Sequence, residues 1–387
     1  MHPYDSISID TLRARTGVKW SRYPADTIPL WIAEMDFPVA PAIREALQAR
    51  LDASDFGYGA MGGYPGMRES VANRLNRLHG TDFTPEHVRS IASTVVGMTR
   101  SINSLTAPGD EILILSPLYP PFKREIEGAG RVAVEVELVQ EGNEWNIDFD
   151  ALQAAVTPAT RMMMFCSPHN PVGKVFTKQE LEQVAEFVLK NNLWFVSDDL
   201  HADITFGEQQ HIPMVNIGHD IAQRTVTLYG PTKAFNLPGL SVSFMITHNE
   251  ALLAHLEQCG KGFCSSPSPL AETAALAAYE HGNEWLQDTL NYIKGNRDYV
   301  AAELAAQLPN IGVTAPKGTY LFWLDLRNLG LGDEETPPSV ALEEAAKVII
   351  QDGGQFGAGG QGFARMNIAT SRPILEEALQ RLTAALR

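Results

Sequence analysis

The stretch YGPTKAFNLPGL, residues 229–240, decides the fold of this chain and is centred on Lys233. An apolar run at residues 225–228 precedes it and has the composition of a buried strand. A lysine at the mouth of such a strand is partly desolvated, and desolvation favours the neutral amine that can form a Schiff base. The ordinary alternative is a lysine that extends from a loop to solvent.

Two upstream segments also place polar groups directly after apolar runs. SPHNPVGKV (167–175) contains Asn170, and VSDDLHAD (196–203) contains Asp198. The carboxyl ends of strands in an α/β sheet are where ligands bind. An amide, a carboxylate and an amine are the groups that pyridoxal phosphate (PLP) requires, for its ring oxygen, its pyridine nitrogen and its aldehyde. The sequence therefore predicts a PLP site at this edge of a sheet.

Together these segments resemble the fold-type I PLP enzymes of the class I/II aminotransferase superfamily. The branch they resemble most is that of the cystathionine β-lyases and related C–S β-lyases. The resemblance covers nearly the whole chain and rests on NPxG, SDxxH and TKxFNxxGL in that order. It is extended by WIAEMDFP (31–38), FGY (56–58), GYPGMR (63–68), SPLYPPF (116–122) and GFARMN (362–367). It implies an α/β fold, with a mostly parallel seven-stranded sheet in a large domain and a smaller α/β domain beside it.

The hydrophobic pattern independently indicates strands that alternate with helices, as in a parallel sheet covered by helices. Strands are predicted at 90–93, 111–115, 132–137, 161–166, 193–196, 225–228, 243–247, 320–324 and 364–368. Helices are predicted at 41–52, 67–78, 97–107, 178–191, 249–261, 340–351 and 374–386, and over 267–307 with a break near Gly282. With the resemblance, residues 45–284 are predicted to form the large PLP-binding domain, and residues 1–44 with 285–387 the small domain.

Composition favours a cytoplasmic metabolic enzyme. The chain has 387 residues, enough for two domains, and 30 basic against 46 acidic side chains give a net charge of −16. No basic stripe is present, so nucleic-acid binding is not expected. The three cysteines form no CxxC pair and are predicted to be reduced thiols. No signal peptide and no apolar run long enough to span a membrane are recognisable.

The resemblance implies roles for three residues at the predicted sheet edge. Lys233 holds PLP and, once the substrate amine has displaced it, becomes the base that removes the Cα proton. Asp198 keeps the pyridine nitrogen protonated, which makes the ring an electron sink. Asn170 donates a hydrogen bond to the ring oxygen.

Further roles follow from the same resemblance, each with an alternative. Arg365 is expected to bind the substrate α-carboxylate, unless it is a surface arginine on an edge strand or is confused with Arg372. Tyr119 is expected to stack on the cofactor ring, or else is an ordinary core aromatic. Tyr58 is expected to cross a two-fold interface to the partner's cofactor in a homodimer with shared sites, or else is a core or interface tyrosine.

The phosphate site is where the chain departs from the superfamily. Relatives often have a serine three residues before the lysine and an arginine eight residues after it, but this chain has Gly230 and Ser241. The expected phosphate ligands are therefore the amides at a helix start, Thr232 and Tyr58. The helix start is TVVG, residues 94–97, and the amides in question are those of Val95 and Val96.

His201 stands where many aminotransferases have a tyrosine, and the C–S lyase branch has histidine there as well. It is either a donor to the ring oxygen or a packed histidine at a strand end. Together with Asp203 and His211 it could suggest a metal site, but the spacing is not that of zinc ligands, and no metal is predicted.

The predicted function is that of a PLP-dependent C–S β-lyase, which releases a thiol, pyruvate and ammonia from a sulfur amino acid. One alternative is an aminotransferase, in which the same proton removal is followed by reprotonation on the cofactor. The other is a protein that keeps the PLP fold for an added regulatory binding role. The sequence leaves the preferred substrate and its leaving group open.

Overall fold

The structure is a computed structural model, and it describes residues 2–59, 63–207, 209–260, 266–332 and 335–386. Part of the predicted helix at 249–261 and the third cysteine, Cys264, lie outside the described residues. Within the described part of the chain, no helix is long and apolar enough to cross a membrane.

The described residues form fifteen strands. In chain order they are β1 (Ile28–Pro29), β2 (Val88–Ile91), β3 (Glu111–Ser116), β4 (Val132–Glu137), β5 (Val139–Glu141), β6 (Glu144–Asn146), β7 (Thr160–Cys166), β8 (Trp194–Asp198), β9 (Thr225–Tyr229), β10 (Ser243–Ile246), β11 (Gly312–Thr314), β12 (Leu321–Asp325), β13 (Val348–Ile349), β14 (Gln351–Asp352) and β15 (Phe363–Asn367).

The same residues form fourteen α-helices. They are α1 (Ile9–Arg13), α2 (Val18–Ser21), α3 (Pro41–Asp52), α4 (Met67–His79), α5 (Thr94–Leu105), α6 (Pro121–Gly128), α7 (Phe149–Ala154), α8 (Lys178–Lys190), α9 (His219–Ala222), α10 (Glu250–Cys259), α11 (Pro269–His281), α12 (Asn283–Gln307), α13 (Pro338–Ala346) and α14 (Arg372–Ala385). The predicted break at Gly282 separates α11 from α12.

The central sheet has seven strands in the order β2-β10-β9-β8-β7-β3-β4. The pairs β9–β8, β8–β7, β7–β3 and β3–β4 are parallel, whereas β10 is antiparallel to both of its neighbours. The prediction of a mostly parallel seven-stranded sheet is therefore confirmed.

Both faces of this sheet are covered by helices, so its strands are apolar on both sides. Along β3, Leu113 and Leu115 point into one core cluster, and Ile112 and Ile114 point into another on the opposite face. This double burial explains why the strands are recognisable as continuous apolar runs. It also leaves the carboxyl edge of β7, β8 and β9 as the place where polar side chains collect.

A second sheet of four strands has the order β11-β12-β15-β14, and β15 is one of its inner strands. The prediction of one helix over residues 340–351 is wrong for residues 347–351. Helix α13 ends at Ala346 because Lys347 adopts a left-handed backbone with φ of 56°. The β-branched residues that follow form β13, which pairs with β1. The division into domains 45–284 and 1–44 with 285–387 stays a proposal.

The start of α5 also differs from its prediction. The strand predicted at 90–93 is β2, which ends at Ile91, and the helix predicted from Gly97 begins at Thr94. Ser93 caps this helix, because its Oγ accepts a hydrogen bond of 3.2 Å from the amide of Val96. The helix N-terminus therefore lies directly at the carboxyl edge of the central sheet.

Candidate active site

Three neighbouring parallel strands bring the predicted site residues to one edge. Cys166 at the end of β7 is paired with Asp198 at the end of β8, and Asp198 is in turn paired with Leu228 of β9. Asn170 and Lys233 lie in the loops that leave β7 and β9. The amide, the carboxylate and the amine thus follow adjacent strands, as the sequence predicted.

The Lys233 amine lies half-buried in this edge. Its Nζ donates a hydrogen bond of 2.6 Å to the carbonyl oxygen of Ala33. Burial, aided by the nearby Arg365 guanidinium and opposed by Glu34 and Asp198, lowers the pKa of Lys233 to about 8. Lys233 forms no ion pair with any residue that the structure describes. Its amine is therefore neutral in a useful fraction of molecules near neutral pH, which nucleophilic attack requires.

Asp198 is a buried carboxylate without a cationic partner among the described residues. The amide of Leu200 donates a hydrogen bond of 3.2 Å to its Oδ1. Burial raises the pKa of Asp198 to about 7, and the neighbouring Asp199 carboxylate raises it too. Such a carboxylate is suited to a ligand that brings its own positive charge or proton.

Arg365 is a buried guanidinium on the inner strand β15, and not a surface arginine on an edge strand. Its Nη1 donates to Asn170 Oδ1 at 2.9 Å, and its Nη2 donates to the Trp31 carbonyl oxygen at 3.0 Å and to Gln351 Oε1. Its Nε has no hydrogen-bond partner among the residues that the structure describes. Burial lowers its pKa to about 10. The alternative Arg372 lies elsewhere, with its Nε bonded to Asn296.

The hydrogen bonds of Arg365 all go to neutral oxygens, and no carboxylate of the described chain pairs with it. A buried guanidinium normally has an anionic partner, because desolvating an unpaired charge is costly. The Arg365 guanidinium is therefore available to pair with the carboxylate of a bound ligand.

Asn170 and His201 both present hydrogen-bonding groups to this edge of the sheet. Because Asn170 Oδ1 accepts from Arg365, its Nδ2 is left to donate. His201 is buried, and its ring contacts the edge of Tyr320. Its Nδ1 has no hydrogen-bond partner in the described part of the chain. Burial holds the pKa of His201 well below its usual value, and Lys233 and Arg365 act in the same direction. The imidazole is therefore neutral and can donate from one nitrogen.

Tyr119 follows β3 and is half-buried beside this group. Burial raises the pKa of its hydroxyl, the Asp198 carboxylate raises it further, and Arg365 lowers it. The tyrosine thus lies within the electrostatic reach of both charged groups. Its stacking on a cofactor ring remains a prediction.

The candidate phosphate ligands lie at the adjoining part of the edge. The Val96 amide is already engaged by Ser93, whereas the Val95 amide has no partner among the described residues. Thr232 is buried in the loop that leads from β9 to Lys233. An N-terminus of a helix favours an anion through its free amides and its dipole.

Tyr58 is not part of the site of its own chain. Its side chain is fully exposed, and Phe56 beside it is 64% exposed. Two neighbouring exposed aromatic side chains are typical of a surface that another molecule covers. The role of Tyr58 across a two-fold interface stays a prediction.

The metal alternative has no support in the described ranges, where no cluster of metal-ligating side chains occurs. Asp203 is bound by Arg74 and Tyr229, and His211 is 3.0 Å from Asp199. These partners account for two of the three residues that could have suggested a metal.

Some site contacts were missed by the sequence analysis. The Ala33 and Trp31 carbonyls, Tyr320 and Gln351 all contact the predicted residues, and Tyr320 donates a hydrogen bond of 3.1 Å to the Ala33 carbonyl. The segment WIAEMDFP pointed to this region, but it carried no signal for contacts made by backbone oxygens.

The residues present fit PLP. A buried carboxylate without a cationic partner, an imidazole nitrogen without a partner, a free amide donor and a lysine of lowered pKa surround one edge of the sheet. Asp198 would face the pyridine nitrogen, Asn170 and His201 the ring oxygen, and Lys233 the aldehyde.

Comparison with known proteins agrees with this site. The profile of the family "Aminotransferase class I and II" matches residues 25–382. The chain therefore belongs to this PLP-dependent family, whose fold-type I architecture it shares.

The similar proteins include a cystathionine beta-lyase and a C–S lyase. Cystathionine beta-lyase PatB of Bacillus subtilis is 32% identical, over 98% of this chain and 100% of that protein. The structure of cystalysin from Treponema denticola, which contains PLP, matches with a TM-score of 0.92 at 28% identity, over 100% of this chain and 99% of that one. A PLP-bound C–S lyase of Staphylococcus hominis, complexed with L-cycloserine, matches with a TM-score of 0.91 at 29% identity, over the same shares.

Proposed function

We propose that this protein is a PLP-dependent C–S β-lyase, acting on cystathionine or another cysteine S-conjugate. The observation that carries the proposal is the full-length likeness to proteins named cystathionine beta-lyase and C–S lyase. The geometry supports it, because a lysine, a carboxylate and a guanidinium without charged partners lie at one sheet edge. A cytoplasmic location is part of the same proposal.

Arg365 binds the α-carboxylate of the amino acid and so fixes the orientation of its Cα. The guanidinium has no carboxylate partner within the described chain, so substrate binding does not have to break an existing ion pair. Asn170 holds Nη1 of the guanidinium in place at 2.9 Å. The same amide donates to the cofactor oxygen, which links substrate and cofactor positions.

Lys233 takes the proton from Cα. Its pKa of about 8 leaves part of the amine neutral at physiological pH, as a general base needs. When bound, PLP supplies the electron sink that stabilises the negative charge at Cα. Asp198 maintains the proton on the pyridine nitrogen, which deepens that sink.

The elimination breaks the bond between Cβ and sulfur, and the electron pair leaves with the sulfur. The thiolate takes up a proton. Over the complete cycle, one water is consumed and one thiol, one pyruvate and one ammonia are released. No oxidant, reductant or second amino acid is required.

The test is a product assay on the purified protein. We expect pyruvate without any keto-acid acceptor, together with a thiol from cystathionine or S-alkylcysteines and a persulfide from cystine. A strict requirement for an acceptor, with formation of a new amino acid, would instead assign an aminotransferase. Absence of turnover with tightly held PLP would favour the regulatory alternative.

Assembly as a homodimer with shared sites belongs to the proposal and is supported by the exposure of Tyr58 and Phe56. A chain with Tyr58→Phe is mixed with a chain carrying Lys233→Ala. If Tyr58 acts in the partner's site, one site of the mixed dimer carries both changes and the other carries neither. Activity should then rise above that of either parent.

Two controls make this mixing experiment decisive. Each parent must be impaired by itself, and subunit exchange must be demonstrated, for example with differently tagged chains. Under those conditions, a mixture that gains no activity would show that Tyr58 and Lys233 do not serve one site from two chains.

A further inference from the structure

Position 230 is too crowded to carry the serine that the superfamily often has there. A Cβ atom added to Gly230 would lie 2.9 Å from Ser243 Oγ, 3.1 Å from Ser243 Cα and 3.2 Å from Ser243 Cβ. Contacts this short require a shift of the neighbour. The space that a side chain at residue 230 would enter is therefore already occupied by Ser243.

The strand pairing explains how Ser243 reaches this place. Phe244 of β10 is paired with Tyr229, so Ser243 lies opposite Gly230, just beyond the end of β9. On its other side, Ser243 is paired with Ile91, two residues before the helix cap Ser93. Ser243 therefore lies between the chain that leads to Lys233 and the chain that leads into α5.

The same side of the sheet carries α5. A Cβ on Gly97 of this helix would lie 2.5 Å from Leu228 and 2.8 Å from Ile91, so α5 packs on the face that bears those two side chains. Residues 228 and 230 are two apart on one strand and share a face. Ser243, which contacts the Cβ position of Gly230, lies on this face too, near the first turn of the twelve-residue helix α5.

The Ser243 hydroxyl lies almost out of solvent and is available to a ligand. The residue is 1% exposed, and its hydroxyl forms no hydrogen bond with another residue that the structure describes. A hydroxyl in such a site favours a ligand oxygen that can accept its hydrogen bond. A ligand oxygen at the helix N-terminus would be such an acceptor.

We infer that Ser243 supplies a hydrogen bond to the phosphate of PLP, from the strand opposite Gly230. Relatives often have a serine hydroxyl at the position of residue 230. In this chain the hydroxyl is that of Ser243, on the opposite side of the β9–β10 pair. Ser241 cannot contribute the positive charge of the arginine often found there, so neutral donors carry the phosphate: Ser243, Thr232 and the first amides of α5. The inference rests on PLP binding but not on the lyase reaction.

The test measures cofactor affinity of the full-length protein without substrate, so failure of the lyase proposal leaves it intact. Dissociation of PLP is followed by loss of its visible absorption, and the same titration is made with pyridoxal, which lacks the phosphate. We expect Ser243→Ala to weaken PLP binding about tenfold, because hydrogen bonds to charged groups contribute most. Pyridoxal binding should change less than twofold or so, since it never used the hydroxyl.

A reciprocal exchange keeps the test decisive if Ser243→Ala folds poorly. Gly230→Ser alone should weaken PLP binding through crowding, whereas Gly230→Ser combined with Ser243→Gly should bring affinity back toward that of the parent. Thr227→Val is the matched control, because Thr227 Oγ1 is a buried hydroxyl with no hydrogen-bond partner in the described chain and lies within β9. This control should leave PLP affinity unchanged.

Two results would overturn the inference. Undiminished PLP affinity in Ser243→Ala would mean that the hydroxyl does not reach the phosphate. Equal losses for PLP and pyridoxal would assign Ser243 to packing alone. Failure of the unaltered protein to bind PLP would instead refute the cofactor assignment, which is a separate outcome.

Discussion

Two buried aspartate side chains, one at the end of β8 and one five residues later, have opposite environments. Asp203 accepts hydrogen bonds from Arg74 at 2.8 Å and from the Tyr229 hydroxyl at 2.8 Å, and His79 lies 3.4 Å away. Burial alone would raise its pKa, but Arg74 and His79 lower it far below the usual value. Asp198, five residues earlier, has no such partners and keeps a pKa raised to about 7.

Two buried arginines repeat the contrast. Burial alone would lower the pKa of Arg74, but Tyr229 and Asp203 raise it well above its usual value. Arg365 donates hydrogen bonds only to neutral oxygens within the described chain, and burial lowers its pKa to about 10. Within its described residues, this chain pairs these structural charges internally and leaves the charges of the candidate site without charged partners. Burial and residue type alone would not separate the two groups.

The largest expected effect is at Lys233. Lys233→Ala should remove the covalent cofactor link and reduce turnover by about 10⁴-fold, because both attachment and proton transfer use the same amine. Borohydride reduction followed by peptide mapping locates the link. Lys19→Met is the matched control, since Lys19 is a buried lysine paired with Asp36 at 2.9 Å. That control should lose stability and keep the link; a reducible link in Lys233→Ala would refute the assignment.

The next largest effect is expected at Arg74, one of the internally paired charges. Arg74→Met should lower the unfolding free energy by about 3–5 kcal/mol, because it leaves Asp203 buried and unpaired. Urea unfolding at fixed PLP concentration measures this loss. Adding Asp203→Asn should recover part of the lost stability, because it removes the buried, unpaired carboxylate. Unchanged stability together with lost turnover would place Arg74 in the catalytic group instead.

The third effect concerns the pH dependence of the PLP-free protein. The pKa of Asp198 is raised from 3.8 to about 7 in the folded chain, so the folded state retains a proton that the unfolded state loses. The stabilisation present below pH 3.8 is therefore lost as pH rises toward about 7. At about 1.4 kcal/mol per pKa unit, the loss is at most about 4 kcal/mol.

Asp198→Asn tests this directly, because the amide cannot ionise. After removal of PLP, the variant should be more stable than the parent at pH 8 and similar to it at pH 4. With PLP restored, the pyridine proton pairs with Asp198 in the parent, so the advantage should shrink while turnover falls by about 10²-fold or more. Parallel stability profiles of the two proteins would contradict the raised pKa.

Much of this arrangement could be predicted from the sequence. Strands β3, β7, β8 and β9 are buried on both faces and so appear as continuous apolar runs, and the groups that matter follow those runs directly. The positions of Asn170, Asp198 and Lys233 at one edge are a consequence of that topology.

What the sequence could not predict depends on contacts between distant segments. The Ala33 carbonyl that receives the Lys233 amine is 200 residues away. Ser243 became a candidate only when the β9–β10 register placed it opposite Gly230. The wrong extension of helix α13 has a local cause, because Ala, Leu and Glu favour a helix up to the point where Lys347 turns left-handed.

The smallest of these effects is expected at Arg365, the buried arginine without an anionic partner in the described chain. Arg365→Lys keeps the positive charge but loses the planar pair of donors, so it should reduce kcat/KM by about 10²-fold, near 2.7 kcal/mol. The loss should appear mainly in KM, because the guanidinium contacts the substrate carboxylate and not the reacting bond. Asn170 would also lose its bond to Nη1, so PLP absorption is recorded as a check on the cofactor position. Arg372→Lys, at an arginine bonded to Asn296 outside the site, is the matched control and should leave KM unchanged. An equal KM for Arg365→Lys and the parent protein would mean that the unpaired guanidinium is not the carboxylate site.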